Sequence, residues 1–543
     1  PKPATIIGTE DPPLYTYKHD SSGAGCVIGG YVYEGATNAA YLGGKYIFGD
    51  YVSGQISALT YDGVHPPTVA PLCSLPPTSL VSFGVDQNNE LYMCNINDGN
   101  IYKLTHNTTL TPGPPALLSQ TGVYTNLATL APNPALIPYN VNSPLWSDNA
   151  VKSRWMAVPY YTNNAATNGL VTFETNGAWQ FPVGTVLVKT FELPTNDADP
   201  TQLKRLETRL FTHATNGSWY GVTYKWRSDN SDADLLPSSL LETNLITTAT
   251  GGTRTQLWYY PSRSDCLICH NANAGYMMGL RTCQLNGNFT YPQTGVTDNQ
   301  LRTLSHAGLF TTNLDEASIP SLPQSVNISD TNASLELRVR SYLDSNCANC
   351  HRPNGAPANF DARLETPLAL QNIVNATPLD PLGVTNAEIV APQSPARSIL
   401  YLRDSAVGAG QMPPLARNTV DTNYIATLTA WINSLPVPGP IPSPWQQQDV
   451  GSVGVPGNAT YADSEFTVTG SGVDIWDVAD SFHFVYQPLL GNAVMTAKVE
   501  GLYGSGDGWP LAGVMIRQDL TGGSKEALSA LTTGYGMSGD ARI

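Results

Sequence analysis

Eight cysteines stand in the 543-residue chain, and four of them fall into two identical patterns. Cys266-Leu267-Ile268-Cys269-His270 is one; Cys347-Ala348-Asn349-Cys350-His351 is the other. C-x-x-C-H is the attachment signature of c-type haem. Two thiols at this spacing can each add to a vinyl group on one porphyrin edge, and the His that follows is placed beneath the iron as the proximal ligand. With eight Cys and eight His in the chain, chance gives roughly 0.002 such pentapeptides. A zinc site of four cysteines, two redox-active C-x-x-C pairs or disulfides would not require a His after each pair. Two covalently bound haem c groups are therefore expected. Haem c is attached outside the bacterial cytoplasm, so a periplasmic or extracellular location is expected. Cys26, Cys73, Cys94 and Cys283 remain, and one disulfide is expected among the first three.

The distal ligands are less tightly specified. Met412, 61 residues after His351 in Gln411-Met412-Pro413-Pro414, suits the second haem. Proline fixes the backbone there, which steadies a flexible thioether. His/Met ligation raises the potential relative to bis-His ligation, so this haem is expected to be the more oxidising. For the first haem the candidates are His306, then Met278 or Met277, or an open position. The two methionines follow His270 by only seven and eight residues, a short path around a porphyrin. His19, His65, His106, His213 and His483 are scattered and read as structural or surface residues. Sequons such as Asn107, Asn216 and Asn458 mean little in a bacterial context.

Several kinds of element must position these residues. Residues 1–112 alternate apolar and polar residues between turn signals, with strands expected at 29–36, 45–52, 55–61, 82–87, 90–96 and 101–105; this spacing fits a propeller or a sandwich. Residues 113–255 read as a β-rich module. Its strands are expected in WQFPVGTVLVKTFEL from Trp179 and SWYGVTYKW from Ser218, and Trp146 is a core anchor. Residues 256–325 and 326–435 read as two small helical cytochrome domains. Their helices are expected at 299–310, 334–346 and 422–435, the last stopped by Pro436. Residues 436–444 form a stiff proline-rich linker, and 445–543 alternate again as a jelly-roll-like sandwich. The fold class expected is a mixed, β-rich multidomain chain.

Composition narrows the class. Only 13 % of residues are charged and 41 % are hydrophobic, and the 27 basic against 43 acidic residues leave a net charge of −16. Nucleic acid and an anionic membrane surface are poor partners for such a chain. No apolar run reaches the length of a membrane span. The chain begins at Pro1 with neither Met nor an apolar leader, so it reads as a mature product or a fragment.

Three resemblances follow from particular pieces. GGYVYEG, KYIFGDYVSGQISAL and SFGVDQNNELYMCNINDGNIYKL resemble the last part of the soluble aldose dehydrogenase-like β-propellers that use pyrroloquinoline quinone. That family has Arg after YVY, where it serves the quinone. Glu34 stands there here, and the blades carrying the catalytic His are absent, so no quinone is expected. From about Leu127 to Leu435, NVNSPLWSD, RLETRLF, WYGVTYKW, YPSRSDCLICHNANAGYMMGLRTCQLN, RSYLDSNCANCHRPNGAPANFDAR and AWINSLP resemble a family of dihaem c-type cytochromes. That likeness implies electron transfer, often beside a dehydrogenase. Residues 445–543 look like the concanavalin-like modules associated with carbohydrate, and by that resemblance the expected sandwich is incomplete at Ile543.

The leading expectation is an exported dihaem electron carrier. Haem propionates would add about four carboxylates to an already acidic chain, so redox partner proteins with basic rims are expected. A haem enzyme, peroxidase-like or a quinohaemoprotein sugar dehydrogenase, is the alternative if one iron is open. A third is a haem-bearing subunit that joins other subunits or like chains through open β edges.

Overall fold

The computed structural model describes residues 13–17, 25–76, 78–105, 113–159, 169–356, 359–475, 478–503 and 509–542. His19, His106 and Asn107 lie outside them. The chain divides into two compact units, Pro1–Pro115 and Ala116–Ile543.

The first unit is built of short antiparallel strands. β1 (Val27–Val32), β2 (Tyr46–Asp50), β3 (Gln55–Thr60) and β4 (Thr68–Ser74) form a four-stranded meander, with the single-turn α1 (Ala39–Leu42) between the first two. β5 (Leu80–Val85), β6 (Leu91–Asn95) and β7 (Ile101–Lys103) form a second sheet. Six of the seven strands lie where alternation places them; β4, with its Pro71 and mostly exposed residues, carries no apolar rhythm. Ile47, Ile56, Leu80, Phe83 and Leu91 make the core. Asp50 ties the edge: its carboxylate accepts hydrogen bonds from Tyr17, Ser53 and the Gly25 and Cys26 amides.

The expected disulfide is not formed; all eight cysteines are free thiols. Cys26 precedes β1 and Cys73 sits on β4, at opposite edges of one sheet. Three strand spacings are about 14 Å, twice the reach of a disulfide. Cys94 lies on β6 in the other sheet, and Cys283 is in the second unit.

In the second unit a small hairpin, β8 (Tyr124–Asn126) and β9 (Ala131–Pro132), precedes a six-stranded antiparallel sheet. Its order is β10 (Ile137–Pro138), β11 (Val151–Ala157), β12 (Val186–Pro194), β13 (Leu203–His213), β14 (Trp219–Trp226) and β15 (Ala233–Leu235). A hairpin of β16 (Leu240–Thr247) and β17 (Thr253–Tyr260) follows, running across the boundary expected at 255. The sheet shares its core with what comes next: Met156, Trp179 and Phe211 are buried with Met277, Leu301, Leu304 and Ile319.

The helices are short and well capped. α2 (Arg263–Cys269) starts at Ser262, which accepts from the Asp265 amide while the Asp265 carboxylate accepts from the Ser262 amide. α3 (Thr282–Leu285) and α4 (Gln300–His306) complete the first helical region. α5 (Leu335–Asn346) is capped by Ser334 and buries Val339, Tyr342, Leu343 and Asn346, the 3–4 spacing of one helix face. α6 (Ile399–Ser405) and α7 (Thr422–Ser434) close the second core around Leu428, Trp431 and Ile432. Tyr342 and Tyr424 stack at 3.7 Å where α5 meets α7. Beyond the proline-rich segment lie two two-stranded sheets, pairing Gln446–Val450 with Phe482–Tyr486 and Asn458–Ala462 with Glu465–Thr469, and a meander of Leu511–Arg517, Glu526–Thr532 and Gly536–Arg542. The protein is thus β-rich with several small sheets and few helices. Among the described residues no helix is long and apolar enough to cross a membrane.

Candidate functional site

The two C-x-x-C-H motifs, far apart in sequence, meet in space. Asn271 donates to the Asn349 carbonyl at 3.1 Å, Asn273 to the Pro353 carbonyl at 3.2 Å, and Arg352 back to the Asn273 carbonyl at 3.1 Å. Both motifs open into one cavity of about 520 Å³. Cys266, Cys269, His270, Cys347, Cys350 and His351 all line it, and so do Met278 and Met412. Its apolar walls include Leu187, Phe211, Trp258, Phe360 and Leu400.

The first motif closes α2 against the sheet. Gly221 on β14 permits this approach, because a Cβ there would stand 2.6 Å from the Cys266 sulfur. His270 Nδ1 donates to the Tyr276 carbonyl at 2.7 Å and its ring lies against Phe211. That bond fixes the tautomer and leaves Nε2 free for an iron. Burial, with the charge of Lys189, pushes the ring down to about 3, so it is neutral at ordinary pH. Burial also drives the thiols up, Cys266 to about 11 and Cys269 to about 12. Redox-active C-x-x-C pairs have the opposite property, a depressed thiol pKa.

The second motif follows α5 inside the helical core. His351 stacks on Phe360 at 4.5 Å, and among the described residues its buried Nδ1 has no hydrogen-bond partner. Burial, then the charge of Arg403, lowers its pKa. Met412 is held by its amide on the Arg403 carbonyl at 3.2 Å, and Gln411 donates to the Arg417 carbonyl at 2.7 Å.

The remaining sequence candidates separate cleanly. Met278 is at the cavity; Met277 is buried in the neighbouring core. His306 is not brought to the cavity. It is exposed at the end of α4, with Nε2 2.7 Å from Glu316, because the apolar face of that helix, Leu301 and Leu304, turns inward instead. His65 and His483 pair with Asp62 and Asp449, and His213 stacks on Trp219.

Sequence reasoning missed two groups. Asp148, buried after Trp146, takes hydrogen bonds from the Asn418 amide and side chain and from the Thr419 amide and hydroxyl, at 2.8–3.0 Å. Trp146 adds bonds to Asn346 and to the Thr419 carbonyl. One loop of the β-rich segment therefore clamps both α5 and the Met412 loop. The second group is Lys189 and Arg209, cavity-lining cations on β12 and β13. Their signal was present: Lys189 is in phase with Leu187 and Phe191, and Arg209 with Phe211, so alternation aims them inward.

A porphyrin fits this arrangement. The cavity walls are apolar, the His and both cysteines of each motif line it, and a glycine makes room beside the first cysteine. No family model, no curated protein and no solved structure matches the chain.

Proposed function

We propose that the protein is an exported dihaem c-type cytochrome that carries electrons between a dehydrogenase-type donor and another redox protein or extracellular acceptor. The observation that carries this reading is the hydrogen-bonded contact between the two C-x-x-C-H motifs at one shared cavity. When bound, each haem supplies an iron that cycles between ferrous and ferric states. The chain does the rest. Cys266 and Cys269 hold one porphyrin and Cys347 and Cys350 the other. His270 and His351 are the proximal ligands, Met412 is the distal ligand of the second iron, and Met278 replaces His306 as the candidate for the first. Apolar walls exclude water, so little reorganisation accompanies each transfer. On this reading the four-stranded β1–β4 meander is a module of the propeller-blade kind and the C-terminal strands are an appended β-module. Its exposed Trp509 and Tyr535, stacked at 4.4 Å, form a platform suited to a sugar ring.

A reduced-minus-oxidised absorption spectrum beside the intact mass tests the proposal. Two covalent haems with fully low-spin bands are expected. A high-spin component would leave one iron open and make peroxide turnover the next assay. A mass without haem would return the motifs to zinc or disulfide chemistry. Met412→Ala should change one haem's spectrum and lower its potential while the other haem keeps its own.

A further inference from the structure

Three cations lie side by side across the sheet that forms one wall of the cavity. Arg154 on β11 is directly opposite Lys189 on β12, and Lys189 is directly opposite Arg209 on β13. Neighbouring strands are about 4.8 Å apart, so the row sets three basic side chains on strand positions that span about 10 Å, and burial, then the charges of Arg154 and Arg209, push the Lys189 ammonium down to about 7. Lys189 and Arg209 line the cavity. Like charges directly opposite are destabilising, and burying a cation without a partner costs more.

The row is barely compensated. Arg209 pairs with Glu207, the buried carboxylate of β13, but among the described residues its Nε has no partner. Arg154 reaches only the neutral oxygen of Asn140, at 3.1 Å, and the Lys152 carbonyl. Among the described residues the Lys189 ammonium makes no hydrogen bond or ion pair; it lies over the Phe191 ring at 5.9 Å. The titratable groups around Lys189 are Lys152 and Arg154 on β11, Glu207 and Arg209 on β13, and Cys269 and His270 on the first motif. Cations outnumber the one carboxylate.

Such a row needs an anion. The second site offers a contrast: Arg417 is turned onto the carbonyls of Asp404 and Ala406, and Arg403 onto Asp380. There backbone carbonyls take both terminal nitrogens of Arg417, with only its Nε unpartnered among the described residues, and a carboxylate takes Arg403.

We propose that Lys189 and Arg209, with Arg154 behind them in the row, form the anion-binding edge of the cavity and receive carboxylates of the attached porphyrin. This rests on the haem reading above. The carboxylate that Lys189 pairs stays ionised and counts no proton on reduction. The cations also offset the negative charge that reduction adds to the site, so they hold the potential up.

The test is spectroelectrochemistry on the full holoprotein, with intact mass, for Lys189→Met. With both haems still attached, one haem's reduction equilibrium should shift about tenfold towards the ferric form, roughly 59 mV. Its potential should also become pH-dependent between pH 6 and 8, because the orphaned carboxylate takes up a proton when the electron arrives; the unsubstituted protein stays flat. Lys189→Gln, a polar replacement for use if the first variant folds poorly, should move in the same direction. Lys189→Arg should restore the potential. Lys225→Met, removing a cation of the same sheet that pairs with Glu242 away from the cavity, should leave it unchanged. Two haems with an unmoved potential, or a lowered potential that stays flat with pH, overturns the inference alone. A mass of the unsubstituted chain without haem overturns the haem reading and this inference together.

Discussion

The two C-x-x-C-H motifs are chemically identical and structurally unlike. The first ends a seven-residue helix pressed onto a β-sheet, with cations on that wall and its His bonded to a backbone carbonyl. The second follows a twelve-residue helix inside a helical core, with a Tyr–Tyr stack beside it and its His Nδ1 unpartnered among the described residues. A motif specifies the bonds to the group it holds. The elements around it set charge and stiffness, and here these come from register on one side and from helix packing on the other. A bond to the far nitrogen of a ligating His raises its basicity, so irons held by these two histidines would be tuned by different means.

The sharpest way to break the contrast is to uncouple the sites. Asp148 joins the sheet-side loop to the Met412 loop through four buried hydrogen bonds. Asp148→Ala removes an acceptor to several donors at once and also loses a residue tolerant of its positive φ of 49°. A loss on the order of 3–5 kcal/mol is expected in denaturant unfolding. It should be accompanied by weakened Met412 ligation and an undisturbed first-haem spectrum. Equal disturbance of both haems would mean that the sites are one mechanical unit.

The helical site also carries a pH dependence. Asp404 is buried and accepts from the Tyr424 hydroxyl at 2.7 Å, and among the described residues its Oδ1 has no partner. Burial raises its carboxyl to about 7, against the smaller opposing effects of Tyr424 and Arg417. A raised carboxyl binds its proton more tightly folded than unfolded. Its contribution is therefore fully present below about pH 4 and is lost as pH rises through 7. Thermal melts of the holoprotein should show stability falling across that window, by roughly 2–4 kcal/mol for this group. Asp404→Asn should flatten the curve; a wild-type curve already flat from pH 4 to 7 would remove Asp404 as the cause.

How much of this was legible in the sequence divides along the same line. Helices at 334–346 and 422–435 were readable within a residue or so, because a helix face repeats locally and its caps, Ser334 and Asp421, stand in the chain. The motif residues and Met412, chosen by type and spacing, are all brought to the one cavity. His306 was not a sound choice, since a lone His at a helix end is equally a surface partner for Glu316. The cation row could not be assembled, because Arg154, Lys189 and Arg209 come together only through the register of three strands. The Asp148 clamp spans about 270 residues, and no local pattern encodes it.

On the sheet side, fit is the weak point. Gly221 stands where a methyl would meet Cys266 Cβ and Sγ, both at 2.6 Å. Gly221→Ala must push α2 off the sheet, at a cost of about 1–3 kcal/mol. Attachment at the first motif should fall in the intact-mass distribution, which would then show a one-haem species with the second motif loaded. Full loading at both motifs would mean that α2 yields without cost.

The smallest effect separates the two supporting helices by length. A cap satisfies one or two orphan amides whatever the helix, worth about 1 kcal/mol, but what remains after its loss differs. α5 still has twelve residues and a buried face, whereas α2 has seven residues, none of them fully buried. Ser262 both receives the Asp265 amide and, through its own amide and hydroxyl, binds the Asp265 carboxylate, which also takes the Tyr259 hydroxyl at 2.8 Å. Ser262→Ala should therefore cost about 1 kcal/mol globally, as should Ser334→Ala. Only Ser262→Ala should speed amide exchange through Cys266–His270, since a helix this short has few hydrogen bonds of its own to hold its ladder once the cap is lost. Equal protection in both variants would show that the thioether links, not the cap, keep the first motif folded.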